Sequence, residues 1–257
     1  MRNLIVCILL FFFTSCSSKN VNNYEEFPTS IPREAYLKIR IGYTPEICLK
    51  GKCVRPFKAL NYGVASAFSI KSAGEDMYAL TAAHVCEDPK DLPVPPRTKP
   101  VTVLTAYSMS GSEHKVEILK QDPTTDLCLI RVVRLSTPVL PIAVDSPKIG
   151  SRVYSMQGPL GLSRKNMVPL FTGFYSGKYR DGSMEEFYTM PADGGSSGSP
   201  ILDKHGSVIG VISMAGARFK HFILSPSVSS IVLFLADTQV SLGMDDGRYG
   251  VCLGVDN

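Results

Sequence analysis

The chain has 257 residues, of which 44% are hydrophobic and 19% charged. That composition suits a globular protein with a large core and excludes a disordered chain. The formal charge of +4 is small for this length, and the lysines and arginines are scattered rather than gathered into a run that could track a phosphate backbone. Nucleic acid is therefore not an expected partner.

Arg2 precedes an unbroken apolar run over residues 4–13. A membrane-spanning helix needs roughly 20 such residues, so the run reads as the apolar region of a signal peptide. Phe13-Thr14-Ser15-Cys16 then resembles a bacterial lipobox, with Phe13 standing where Leu is usual. The resemblance implies that 1–16 is a signal peptide with a lipobox, in which Cys16 is lipidated, becomes the first residue after cleavage, and anchors an exported protein to the membrane in the periplasm or cell envelope. A plain signal peptide with an incidental cysteine, and hence a secreted protein, is the alternative.

Export permits disulfides among Cys48, Cys53, Cys86, Cys128 and Cys252, and an odd number leaves at least one thiol without a partner in the chain. Cys48 and Cys53 flank Leu-Lys-Gly-Lys and could bridge across a tight turn, or could stand unpaired at an edge. Cys128, inside the apolar run 127–130, reads as a small core residue. No cysteine pair has metal-ligand spacing and the histidines are widely separated, so no metal or other cofactor is expected.

Residues 17–54 are rich in Ser, Asn, Pro and charge and read as a tether leading into an extended arm. From about Ala59 onward, short segments rich in Val, Ile, Leu, Phe and Tyr alternate with Gly, Pro, Asp and Ser every ten residues or so, the pattern of an all-β sandwich or barrel. The expected strands cover 63–70, 77–81, 101–108, 115–120, 127–133, 152–157, 169–175, 186–190, 208–214 and 222–224. Ser110-Gly111-Ser112 joins two of them as a hairpin turn, and proline-rich 87–100 reads as a surface loop. Residues 227–237 suit one short amphipathic helix, and 241–257 form a tail.

The strongest chemical signal is Gly194-Gly195-Ser196-Ser197-Gly198-Ser199-Pro200 at the head of an apolar strand pair. A nucleophilic serine needs a sharp turn and backbone N–H groups converging on the oxygen that becomes negative during attack. Ser197 is read as that nucleophile, the amides of Gly195 and Ser197 as the oxyanion hole, and Ser196 and Ser199 as bystanders. A serine hydroxyl also needs a base, for which His84 in Leu80-Thr81-Ala82-Ala83-His84 stands at a strand end beside small residues. The imidazole needs a carboxylate in turn, and Asp126 stands at the entry to the apolar run 127–130. Asp122, before a proline, is better explained as a turn residue.

The order His, Asp, Ser, with separations of 42 and 71 residues, is that of chymotrypsin and differs from those of subtilisin and the α/β-hydrolases. Thr-Ala-Ala-His, Asp-Pro-x-Thr-Asp-Leu and Gly-x-Ser-Gly-x-Pro together resemble the trypsin-like serine peptidases, most of all the protease domain of bacterial HtrA proteases. The Gly-Ser-Pro ending is also similar to bacterial glutamyl endopeptidases. The resemblance implies an all-β domain over about 55–240, built of two six-stranded antiparallel β-barrels with the site in the seam between them. It further implies endopeptidase activity on polypeptides through an acyl-enzyme, here on unfolded or envelope proteins.

The chain departs from the family in several places. No PDZ domain is expected after the protease domain. Ser196 replaces the Asp that many trypsin relatives pair with a freshly cut N-terminus. Cys86 lies one position later than the usual trypsin-family cysteine, and Ala65 and Ala67 offer it no partner, so the customary disulfide beside the histidine is expected to be missing. By position, Pro191, Ala192, Asp193, Gly194, Ser213, Met214 and Ala215 line the pocket for the residue before the cut, with Asp193 turned away. No acid or histidine sits there to select Lys, Arg or Glu, so a small or medium apolar residue is expected. Two other function classes compete: a binding or adaptor lipoprotein on a decayed protease scaffold, and a small-molecule esterase, which the strand pattern does not favour.

Overall fold

The computed structural model describes residues 27–49, 52–55, 58–90, 98–178, 185–216 and 218–242. The expected leader, Cys16, Cys252 and nearly all of the 241–257 tail lie outside these. Among the described residues, no helix is long and apolar enough to cross a membrane.

The first half of the chain folds as seven strands: β1 (Tyr36–Leu49), β2 (Lys52–Val54), β3 (Leu60–Ala73), β4 (Asp76–Ala82), β5 (Lys99–Tyr107), β6 (Glu113–Asp122) and β7 (Leu127–Val132). Their order is β2-β1-β3-β4-β7-β6-β5, and β1 also pairs with β5. Six strands therefore close into a barrel, which leaves no free edge around its girth. Alternation drives the closure: Leu37 and Ile39 on β1 are fully buried, while Lys38 and Arg40 between them are only partly covered. The interior adds Ala65, Ala67, Ala79, Ala106, Ile130 and Val132, small and β-branched side chains that fill a narrow barrel. Tight turns at Gly74 (φ 66°) and Gly111 (φ 85°) connect neighbouring strands.

The expected arm over 17–54 is thus in large part strand β1, fourteen residues long. Two barrel neighbours use its backbone, so it is framework rather than tether. Beyond it, β2 folds back as a hairpin tied by a Cys48–Cys53 disulfide.

The second half contributes β8 (Arg152–Met156), β9 (Leu170–Lys178), β10 (Glu185–Thr189), β11 (Pro200–Leu202), β12 (Val208–Val211), β13 (Met214–Ala215) and β14 (Phe222–Pro226). Their order, β12-β11-β8-β9-β10-β14-β13, curls without closing. The expected all-β, chymotrypsin-like pair of curled sheets is thus present, the first closed as a six-stranded barrel and the second a half-barrel. Where β12 meets β14, Val211 N donates to the Ser225 side-chain hydroxyl at 2.8 Å, and just beyond, Ser213 N donates to Leu224 O at 3.1 Å.

All ten strands expected from the pattern are present, with altered ends; β1, β2, β11 and β13 were not anticipated. The closing helix α2 (Val228–Leu242) starts on Ser227, whose hydroxyl accepts the Ser230 N–H at 3.1 Å. Its Ile231, Phe234 and Leu235 pack into a cluster containing Phe68, Leu80, Leu127 and Leu129 from the first sheet and Met156, Leu202 and Val211 from the second. Burying each such side chain stabilises by about 1.5–3 kcal/mol, so this shared core holds the two sheets together and fixes the seam between them.

Candidate active site

Strand β4 ends at Ala82 and passes into a single helical turn, α1 (Ala83–Cys86), which presents His84. The turn after Asp122 returns the chain to β7 at Leu127, with Asp126 just before it in a left-handed conformation (φ 54°). Asp and Asn tolerate that region better than other side chains. The twist lets Asp126 grip the His84 segment at several points. Its carbonyl accepts from Ala83 N at 3.0 Å. Its Oδ1 accepts from His84 N at 3.0 Å. The imidazole Nδ1 lies 3.1 Å from Oδ1 and 3.0 Å from Oδ2.

Asp126 therefore fixes the ring's orientation and leaves Nε2 as the other ring nitrogen. The Asp126 hydrogen bond holds the His84 pKa above the ordinary histidine value; burial opposes this, while the charges of Asp126 and Glu87 add to the rise. Burial pushes the Asp126 carboxyl up. The hydrogen bond to His84 and its charge outweigh that, aided by the His84 N–H and by Ser213, and keep it below the usual carboxylate value. Ser213 Oγ is buried with no partner of ordinary hydrogen-bond geometry, so its contribution comes from lying beside the carboxylate. That places Ser213, expected in the substrate pocket, at Asp126.

Cys86 finds no partner on β3, but an unanticipated disulfide holds it elsewhere. Cys86 and Cys128 are bonded, with Cα atoms 6.6 Å apart and a sequence separation of 42, the same separation as His84 and Asp126. The expectation sought a partner on β3, but the α1 turn directs Cys86 to β7 instead. Cys128 is thus a bridge partner rather than an unpaired core residue. Two residues beyond each member of the dyad, the chain is covalently tied.

Ser197 comes from the second half. Of the three serines in its loop, Ser196 and Ser199 are fully buried and only Ser197 is partly accessible. The loop docks on the first barrel through backbone: Ser66 N on β3 donates 2.9 Å to Ser197 O. Gly198 (φ 82°) is required by close approach, since a Cβ there would lie 2.1 Å from Ser66 O, 2.2 Å from Thr81 Oγ1 and 3.1 Å from Ala82 N. Ser197 is thereby set beside the strand that delivers His84. No hydrogen bond joins Ser197 Oγ to His84 in this structure; such bonds often tighten only with substrate bound.

The preceding peptides are held just as firmly. Leu160 N donates 2.6 Å to Gly194 O, and Ser66 Oγ donates 2.9 Å to Gly195 O. A planar trans peptide aims the Gly195 N–H opposite to Gly194 O, away from Leu160. Among the described residues, no acceptor takes the N–H of Gly195 or Ser197. Sequence reading missed Ser66 and its partner Tyr36 (3.1 Å). The available signal was a hydroxyl between Ala65 and Ala67.

The remaining expected pocket residues make their contacts within the second half. Pro191 O accepts from Gln157 Nε2 at 3.1 Å, and Ala192 N donates to Lys220 O at 2.9 Å. Asp193 pairs with Lys220 at 2.8 Å and caps Gly194 N; the lysine first, then that N–H, hold its carboxyl below the usual value. Met214 is 61% exposed on β13 at the sheet edge. Among the described residues, one grouping has the residue types of a metal site, Glu46 with Cys48 and Cys53, but both of its sulfurs are used in the disulfide.

Residues 65–211 match the model of the trypsin-like peptidase domain. The chain belongs to that family. It is 27% identical over 179 residues to a probable periplasmic serine endoprotease, DegP-like, of Chlamydia trachomatis, covering 66% of this chain and 34% of the relative. A protein of the same description from Chlamydia pneumoniae is 27% identical over 178 residues, covering 65% and 34%. The chain thus spans about a third of the length of these relatives. Among solved structures, a serine endoprotease from Yersinia pestis superposes with a TM-score of 0.58 at 15% identity, covering 82% of this chain and 65% of that one. A protease from M. tuberculosis in its active form superposes with 0.55 at 17% identity, covering 80% and 81%. These likenesses establish the trypsin-like fold for the barrel and half-barrel.

Proposed function

We propose that the chain is a serine endopeptidase with His84, Asp126 and Ser197 as its triad. In this reading Ser197 Oγ attacks the substrate carbonyl while His84 Nε2 takes its proton, the imidazolium being stabilised by Asp126 at Nδ1. The N–H groups of Gly195 and Ser197 donate to the oxygen that becomes negative. His84 then gives the proton to the leaving amine, and a water hydrolyses the acyl-enzyme by the same steps in reverse. The observation that carries this reading is the His84–Asp126 contact, made by side chain and backbone at once beside a loop in which Ser197 is the accessible serine.

Substrates are unfolded or envelope polypeptides, with a small or medium apolar residue before the cut held by Pro191, Ala192, Gly194, Met214 and Ala215. The apolar run before Cys16 and the description of the chlamydial relatives as periplasmic support an exported protein, lipid-anchored at Cys16. The test is casein cleavage by the purified protein and by Ser197→Ala. The variant is expected to lose at least about 10⁴-fold in kcat/KM while keeping its fold by circular dichroism; retained cleavage would end the reading.

A further inference from the structure

Away from the dyad, a cavity of about 340 Å³ opens between β1, β3, the β5–β6 turn and the segment 163–165. Its walls carry Lys38, Arg40, Arg164 and Lys165. Arg40 pairs with Glu113 at 3.3 Å and lies over the Tyr107 ring. The other three cations have no carboxylate in ion-pair reach among the described residues. Lys38 and Arg164 instead share carbonyls: Lys38 Nζ donates to Gly161 O at 3.0 Å and to Ser163 O at 3.4 Å. The Arg164 guanidinium reaches the same two oxygens at 2.5 and 3.0 Å. Burial, and then the charge of Arg164, hold Lys38 below the ordinary lysine value. Like charges crowded onto shared acceptors are relieved by an anion.

The cavity is joined to the reaction centre. Tyr36 OH in its wall bonds Ser163 Oγ at 3.2 Å and Ser66 Oγ at 3.1 Å, and Ser66 Oγ donates 2.9 Å to Gly195 O. Val64, also in the wall, lies two residues along β3 from Ser66, about 7 Å at the strand rise. Ser66 N in turn holds Ser197 O at 2.9 Å. None of 190–194 or 213–215, the segments proposed to hold the residue before the cut, contributes to the wall. In the peptidase reading this leaves the cavity to the half of a substrate beyond the cut.

We propose that this cavity is an anion-binding subsite that takes an Asp or Glu side chain from the second or third residue after the cut, through Lys38, Arg164 and Lys165. The inference rests on the peptidase reading, which supplies the direction of the substrate. Met109, Val64 and Tyr107 in the same wall suit the methylene portion of such a side chain and lower the local dielectric around its charge.

The experiment uses the mature protein and peptides identical except for Glu, Gln or Lys at those two positions. The Glu peptides are expected to be cleaved with kcat/KM about fivefold to tenfold above the Gln peptides at low salt, a preference that shrinks as ionic strength rises. In Lys165→Glu the preference for Glu over Gln should vanish or reverse toward Lys. In parallel, fluorescence anisotropy measures binding of the Glu and Gln peptides to Ser197→Ala, alone and combined with Lys165→Glu. Equal rates for Glu and Gln peptides, or equal binding with and without Lys165→Glu, would overturn the subsite. Failure to cleave any peptide would strike the peptidase reading alone, and the anisotropy comparison would then decide the subsite by itself.

Discussion

The two halves of the site are held in different ways. His84 and Asp126 both come from the closed barrel, where bonds from the His84 and Ala83 amides and the buried Cys86–Cys128 bridge tie their segments together. Ser197 comes from the open half-barrel, and its loop is positioned by Leu160 of its own half and by contacts reaching across the seam, through Ser66 and the fit of Gly198. In the proposed reading the histidine and its carboxylate are thus held within one barrel, whereas the placement of the serine depends on contacts between the two halves.

The sharpest way to break this contrast is Asp126→Asn. It keeps the shape of the dyad but favours the wrong imidazole tautomer, and kcat is expected to fall on the order of 10⁴-fold. The pH profile gives a second check. His84 must be neutral to accept the Ser197 proton, so activity is lost as pH falls through its pKa. Because Asp126 raises that pKa above 6.5, the acid limb of kcat/KM should sit above 6.5 in the parent and move down in the variant's residual activity.

Next in size is Gly195→Ala. A Cβ there would lie 2.6 Å from Gly158 O on a φ of 95°, so the 194–195 peptide must turn. Loss of one donor to the developing oxyanion should lower kcat about 10²–10³-fold with little change in KM, as steady-state kinetics will show.

Gly198→Ala tests the docking itself. Its Cβ would meet Ser66 O and Thr81 Oγ1 across the seam, so the variant should lose roughly 1–3 kcal/mol of stability. It should also lose Ser197 reactivity, while amide exchange within β4 and β7 stays protected. The smallest effect on chemistry is expected for the paired change Cys86→Ala with Cys128→Ala. Opening a loop of 42 residues should cost roughly 2–4 kcal/mol in thermal or denaturant unfolding, with kcat reduced less than about tenfold because the Asp126 hydrogen bonds still orient His84.

The same contrast explains what could be read from the sequence. The ten expected strands are short segments rich in apolar residues and bounded by turn residues, and the three residues of the proposed triad each stand in a context that such chemistry requires: a strand end with small neighbours, the entry to a buried strand, a glycine-flanked turn. Strand β1 was legible in the alternation of Leu37 and Ile39 with Lys38 and Arg40, but its polar lead-in and Pro45 obscured it. The Cys86–Cys128 pairing was not legible, because spacing does not fix connectivity. Nor was the support of the Ser197 loop, where Ser66 and Gly195 are 129 residues apart and meet only across the seam.

The most direct measurement is labelling by a fluorophosphonate, with the modified residue located by peptide mass spectrometry. The label is expected on Ser197 of the parent protein, and to disappear in His84→Ala even though the serine is still present and folded. Label on another serine, or undiminished labelling of Ser197 without the imidazole, would contradict the account.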